Sequence, residues 1–208
     1  VELASHYSQT RELGPELIPY FFGSESALED ALGRHPELQS FETDAFMGLP
    51  TLVAPSEGEA ALAVTRYLQH TGVGISSREA ENCLMRAGRF ANRSPEPWSE
   101  HVNPERVDDA LSQWFDPSVT SRIYPCKSGM NAFFSAYEAI NRIQSRRGRR
   151  GWISVGWLYL DTLQILERYL PEGWTTAWFR DPTDTDSIVD YINSHGKSVA
   201  GLILETPG

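Results

Sequence analysis

The sequence predicts an α/β fold whose second half holds a parallel sheet, preceded by a mainly helical region. Two observations carry this. After Gly151 three β-rich segments, "WISVG", "TTAWF" and "GLILE", alternate with amphipathic helical stretches at lengths that fit βαβ units. Before Asn92 the chain reads instead as helices and loops, each helix announced by a serine. Hydrophobic residues make up 40% of the 208, enough for a buried core and too many for wholesale disorder.

In chain order, "SALEDALGR" starts with Ser26 and has Glu29 three residues on, the pattern of a capping box. Leu28, Ala31 and Leu32 then share a face. "LPTLVAP" is a short extended segment between Pro50 and Pro55. "SEGEAALAVTRYLQHTG" pairs Ser56 with Glu59, puts Ala60, Leu62, Ala63 and Tyr67 on its apolar face, and closes at Gly72. "SSREAENCLMRAG" pairs Ser76 with Glu79 and stops at Gly88. The proline-rich "NRSPEPWSEHVNP" is the boundary candidate, which divides the chain into a helical region, 1–103, and the first part of an α/β domain, 104–208. "PERVDDALSQWF" opens the second part as a short amphipathic helix. A helix from about Gly129 to Arg146 follows, then the strands and helices named above.

The formal net charge of -10 argues against nucleic acid or an anionic membrane as the main partner. "RRGRR", Arg146 to Arg150, is either an anion patch or a solvated loop after a helix. Cys83 and Cys126 lie in no C-x-x-C pair and have no metal-ligand spacing to a histidine. They read as reduced thiols, and the protein as cytoplasmic. The histidines, His6, His35, His70, His101 and His195, are scattered and read as surface or capping residues. No run reaches the roughly 20 apolar residues of a membrane span, and the amino terminus lacks a secretory pattern. The absence of an initiator Met suggests that earlier residues are missing.

Chemistry concentrates at "YPCKSGMNA", where Ser128, Gly129 and Met130 open an apolar-faced helix. A helix start offers unpaired N–H groups and partial positive charge, and glycine lets an anion approach the backbone. Two readings stand open: a phosphate cup, or a plain serine cap. Neither G-x-G-x-x-G nor G-x-x-x-x-G-K-[ST] occurs, and there is no G-x-S-x-G elbow.

"YPCKSGMNA", "LYLDT" and "LILETPG" follow one another in an order that resembles the Cys/Met-metabolism enzymes dependent on pyridoxal phosphate, typified by cystathionine γ-synthase. The resemblance covers about Val107 to Gly208, and "QHTGVGISSREAENCL" looks like the stretch before the core in the long, fungal-type members. It implies a three-layer domain of the PLP-dependent transferase kind (fold type I), with pyridoxal 5'-phosphate as cofactor and an amino-acid substrate. The reaction it implies is γ-replacement on an activated homoserine, in methionine biosynthesis, with a γ-lyase or homoserine sulfhydrylase as the close rival. A rival of another class is a non-enzymatic interaction module that keeps the fold.

By the resemblance, Ser128, Gly129 and Met130 match the phosphate cup, with the last two supplying backbone N–H groups. Tyr159 matches the tyrosine that stacks on the pyridine ring, although a core tyrosine is the other reading. Glu205 matches a strand-end glutamate near the cofactor, with Thr206 and Pro207 shaping its turn. Leu160 and Asp161 depart from the family, which has two glycines there, and the family's upstream Tyr-x-Arg motif has no counterpart. Lys127 and Lys197 are the only lysines, and neither has the context of the lysine that carries the cofactor. That residue is expected beyond Gly208. The resemblance therefore implies a piece of a longer, homo-oligomeric enzyme that needs its carboxy-terminal half and is inactive alone.

Overall fold

The computed structural model describes residues 1–89, 109–114 and 123–205. The boundary candidate and the start of the helix after it, together with Thr206 and Pro207, lie outside the described residues. The chain forms two compact units, Val1–Ala61 with Gly74–Lys127, and Leu62–Val73 with Ser128–Gly208.

The first unit holds more than helices and loops. Helix α1 (Glu2–Arg11) is followed by strand β1 (Leu17–Phe21), helix α2 (Glu25–Arg34), strand β2 (Glu42–Phe46) and strand β3 (Leu49–Pro55). The strands make an antiparallel sheet in the order β1-β3-β2. Met47 and Gly48 join β2 to β3 in two residues, both with positive φ (55° and 83°). That suits the right-handed twist of a tight hairpin. Leu3, Tyr7, Phe46, Val53, Cys83 and Leu84 form the core of this unit. The cap of α2 is Ser24, not Ser26: the Ser24 hydroxyl accepts the Ala27 N–H, 3.2 Å away. Helix α3 (Glu59–Thr71) starts here but lies mostly in the second unit, and helix α4 (Ser77–Arg86) carries the full capping box of Ser76 and Glu79.

The second unit is α/β. Helix α5 (Gly129–Ser145) leads into strand β4 (Gly151–Val155), and helix α6 (Leu160–Arg168) into strand β5 (Thr175–Phe179). Helix α7 (Thr185–His195) leads into strand β6 (Val199–Leu204). The three strands are all parallel, in the order β5-β4-β6, as the alternation predicts. All of β4, Ser154 included, is buried, as befits the central strand of a parallel sheet. Tyr137 of α5 stacks on Trp152 of β4 (5.2 Å between ring centroids), and the Trp152 indole N–H donates to Asn141 Oδ1 at 2.9 Å. Gly201 of β6 makes room for that indole. Among the described residues no helix is long and apolar enough to cross a membrane.

Candidate functional site in the second unit

Val155, Phe179 and Leu204 are register partners at the carboxyl ends of the parallel strands. Tyr159 follows β4 and Glu205 follows β6, so both belong to this edge. Helix α5 runs into β4 and α6 runs out of it, so their amino ends face the same edge, where α/β sheets place ligands.

At the start of α5, Ser128 is extended (φ -152°) and its hydroxyl accepts the Asn131 N–H at 3.1 Å. The Ser128 carbonyl accepts the Ala132 N–H at 2.9 Å. The cap is therefore made. Gly129 and Met130 keep N–H groups with no hydrogen-bond partner among the described residues, as the first turn of a helix requires. A Cβ placed on Gly129 would meet nothing within 4 Å, so the space beside these groups is open. The first turn of α5 holds no acidic residue, whereas α6 has Asp161 there and α7 has Asp186. Cap and anion cradle are thus compatible: the serine side chain serves the first and the backbone remains for the second.

At the start of α6, Tyr159 is the N-cap residue, but its own side chain makes no cap. Glu205 substitutes. Its carboxylate accepts the Tyr159 N–H at 2.5 Å and the Thr162 hydroxyl at 2.6 Å. The negative charge also suits the positive end of the helix. Tyr159 itself is 60% exposed, so its aromatic face is available and it is not a core tyrosine. A hydrogen bond to Asp161, and then that carboxylate's charge, push the Tyr159 phenol above its ordinary value.

Asp161 is the residue that reading the sequence left without a role. It is buried, and its Oδ1 lies 3.0 Å from Gln69 Nε2 and 3.0 Å from His70 Nδ1. His70 is therefore neither a surface nor a capping residue. It is buried on the last turn of α3, edge-on to Tyr169. Two residues on, Gly72 has φ +63° and touches the α5 start: the Ser128 hydroxyl donates to its carbonyl at 3.4 Å. The structure brings Tyr159 and Glu205 into direct contact. Ser128 and Tyr159 are connected through Gly72, His70 and Asp161. The signals present in the sequence were the glycine-to-aspartate departure at Asp161 and the glycine closing α3.

Lys127, next to Ser128 in sequence, is committed elsewhere. Its ammonium lies 2.7 Å from the Glu79 carboxylate and donates to the Gly23 carbonyl at 3.3 Å. Burial raises the Glu79 carboxyl, but the Lys127 and Ser76 hydrogen bonds overcome it and hold it below the usual carboxylate range.

No family model matches the chain, and no solved structure matches it. Among known proteins, L-2-amino-4-chloropent-4-enoate dechlorinase/desaturase of Streptantibioticus cattleyicolor is 34% identical over 156 residues, 74% of this chain and 31% of that protein. Cystathionine gamma-synthase of Neurospora crassa is 35% identical over 88 residues, 41% of this chain and 14% of that protein. The chain spans less than a third of the length of these curated relatives. By this similarity the chain belongs to the pyridoxal-phosphate-dependent family of cystathionine γ-synthase-like enzymes, of whose known members it spans a part.

Proposed function

We propose that this chain forms the phosphate- and ring-facing part of an enzyme acting on amino acids with a leaving group on the γ carbon. The observation that carries the reading is the α5 start: two backbone donors without partners among the described residues, open space beside Gly129, and no acid in the first turn. These features fit a phosphate monoester. The relatives support the choice of substrate. The dechlorinase is named for a substrate with chlorine on C4, which is the γ carbon of an amino acid, and the other relative is named as a γ-synthase.

In this reading the Gly129 and Met130 N–H groups hold the phosphate, while the Ser128 hydroxyl keeps the first turn in shape. The exposed Tyr159 ring offers a flat face to a conjugated ring. Glu205 and Thr162 fix the backbone from which that ring projects. When bound, pyridoxal phosphate supplies an electron sink for breaking bonds at the amino acid's α and β carbons. The reaction is γ-replacement of the cystathionine-synthesis kind, in cytoplasmic sulfur amino-acid metabolism and within a homo-oligomer. Elimination is the second reading, favoured because the dechlorinase match covers 74% of the chain and the synthase match 41%.

The test is titration of the chain with pyridoxal phosphate, followed by absorbance, with inorganic phosphate as competitor. Saturable binding that phosphate displaces is expected. Gly129→Asp, which sets a carboxylate beside the two donors, should weaken it about tenfold or more by like-charge repulsion. Equal binding by wild type and the aspartate variant would overturn the assignment.

A further inference from the structure

The last turn of α3 and the glycine after it, "QHTG" at 69–72, touch both ends of the site just described, yet no role was read for them beyond closing a helix. On one side, Gly72 is packed so tightly under the α5 start that a Cβ there would overlap the Ser128 hydroxyl and stand 2.7 Å from the Asn131 nitrogen. Its positive φ (+63°) is a second reason that only glycine sits there without strain. On the other side, Gln69 and His70 each place a nitrogen 3.0 Å from the same Asp161 oxygen. The His70 and Asp161 side chains are only 7% and 8% exposed. A buried carboxylate without such partners would be costly, so these two contacts tie Asp161 to α3. Thr71 between them is fully buried, and its hydroxyl donates to the Tyr67 carbonyl at 2.6 Å, which stiffens the turn itself.

We propose that Gln69, His70 and Gly72 form a positioning platform that sets the spacing between the anion-binding start of α5 and the Tyr159 turn. The proposal rests on the functional reading above in assigning the two ends to one ligand. A rigid cofactor with a phosphate at one end and an aromatic ring at the other needs both ends held at one separation. α5 and α6 also meet through Phe134 and Tyr137 of α5 against Tyr169, but these contacts involve neither the first turn of α5 nor the Tyr159 turn. Gln69 and His70 at the end of a third helix, with Gly72 just past it, supply a link between the two starts. Asp161 takes part because it stands where a glycine would leave His70 and Gln69 without their acceptor.

The prediction is reciprocity. In the full 208-residue chain, Asp161→Ala should speed hydrogen exchange at the Tyr159 amide and also at the Asn131 amide, at the far end of the platform, by about tenfold. Gly72→Ala should do the reverse, loosening Tyr159 as well as Asn131. Asp161→Asn keeps an acceptor for His70 and Gln69 and should restore most of the protection. The Ile153 and Ser154 amides of the central strand serve as the control for global unfolding. Effects confined to the mutated end, with wild-type exchange at the other, would overturn the platform. Exchange raised equally at Ile153 and Ser154 in Asp161→Ala, and not rescued by Asp161→Asn, would do the same, since it would mark plain destabilisation. Ligand titration separates this from the functional reading. If the wild-type chain binds neither inorganic phosphate nor pyridoxal phosphate, that reading falls, while reciprocal exchange still supports the platform.

Discussion

Replacing Glu205 by alanine tests how the Tyr159 turn is held. The carboxylate makes two short hydrogen bonds, 2.5 Å to the Tyr159 N–H and 2.6 Å to the Thr162 hydroxyl. Hydrogen bonds to a charged group contribute about 1.5–3 kcal/mol each. Glu205 is only partly buried, so the lower end applies to each, and the charge at the start of α6 adds about 0.3–1 kcal/mol. Water can reach the freed N–H and hydroxyl and offsets part of the loss. A net cost of about 2–3 kcal/mol is expected for Glu205→Ala. Glu205→Gln keeps an oxygen acceptor and should cost about 1 kcal/mol. Urea unfolding followed by far-UV circular dichroism gives both numbers, with unchanged m-values as the sign that only stability moved. A cycle with Thr162→Val separates the two bonds, because the coupling should vanish once either partner is gone. If Glu205→Ala lies within about 0.5 kcal/mol of wild type, the range of neutral surface changes, the carboxylate does not hold the turn.

Two further perturbations have worked outcomes. Gly201→Ala would overlap Cζ3 of Trp152 and stand 2.8 Å from its Cη2, and that indole is pinned by Asn141 and Tyr137, so overpacking should cost about 1–3 kcal/mol in chemical denaturation. Burial first, and then its hydrogen bond to Asp44, push the Tyr7 phenol from 10.0 up to about 12. A raised value means the folded state keeps its proton longer than the unfolded chain. This stabilisation is complete below pH 10.0 and is lost as pH rises towards 12. Thermal melts across that range should show a steeper alkaline decline for wild type than for Tyr7→Phe.

What was legible in the sequence and what was not divide along physical lines. β4, β5 and β6 were legible because each is a short β-rich run bounded by turns and followed or preceded by a capped helix. β1 and β2 were not. β1 carries Pro19, which is tolerated because the order β1-β3-β2 makes it an edge strand. β2 reads "ETDAF", polar because four of its five residues are exposed or half-exposed on a sheet with one wet face. The hairpin between β2 and β3 is closed by Met-Gly, which lacks the Asn or Asp that flags a tight turn. Ser26 looked like the cap of α2 because Glu29 follows at the right spacing, but Ser24 makes the bond. In the site, the local features were readable: a serine cap, a glycine, and a tyrosine whose exposure the sequence left open. The His70–Asp161 contact was not, because it joins residues 91 apart and nothing in either neighbourhood points to the other.

The placement of acidic groups explains why the reading favours α5 over the neighbouring α6 as the anion-binding helix. Both present amino ends to the carboxyl edge of the sheet, and both carry the positive end of a helix dipole. At α6 that end is already neutralised. Glu205 occupies the Tyr159 N–H, Asp161 lies in the first turn, and an arriving phosphate would meet two carboxylates whose donors are in use. At α5 the cap is a neutral serine, the first turn is Gly129-Met130-Asn131 with no acid, and two N–H groups remain. A charge separation follows from this within one unit: acid gathered where Tyr159 is fixed, and backbone donors without acid beside them at the start of α5. The same division accounts for Asp161 in place of a glycine. A carboxylate there would repel a phosphate if it were free, but His70 and Gln69 hold it buried against α3, where it fixes the turn and leaves the α5 start clear.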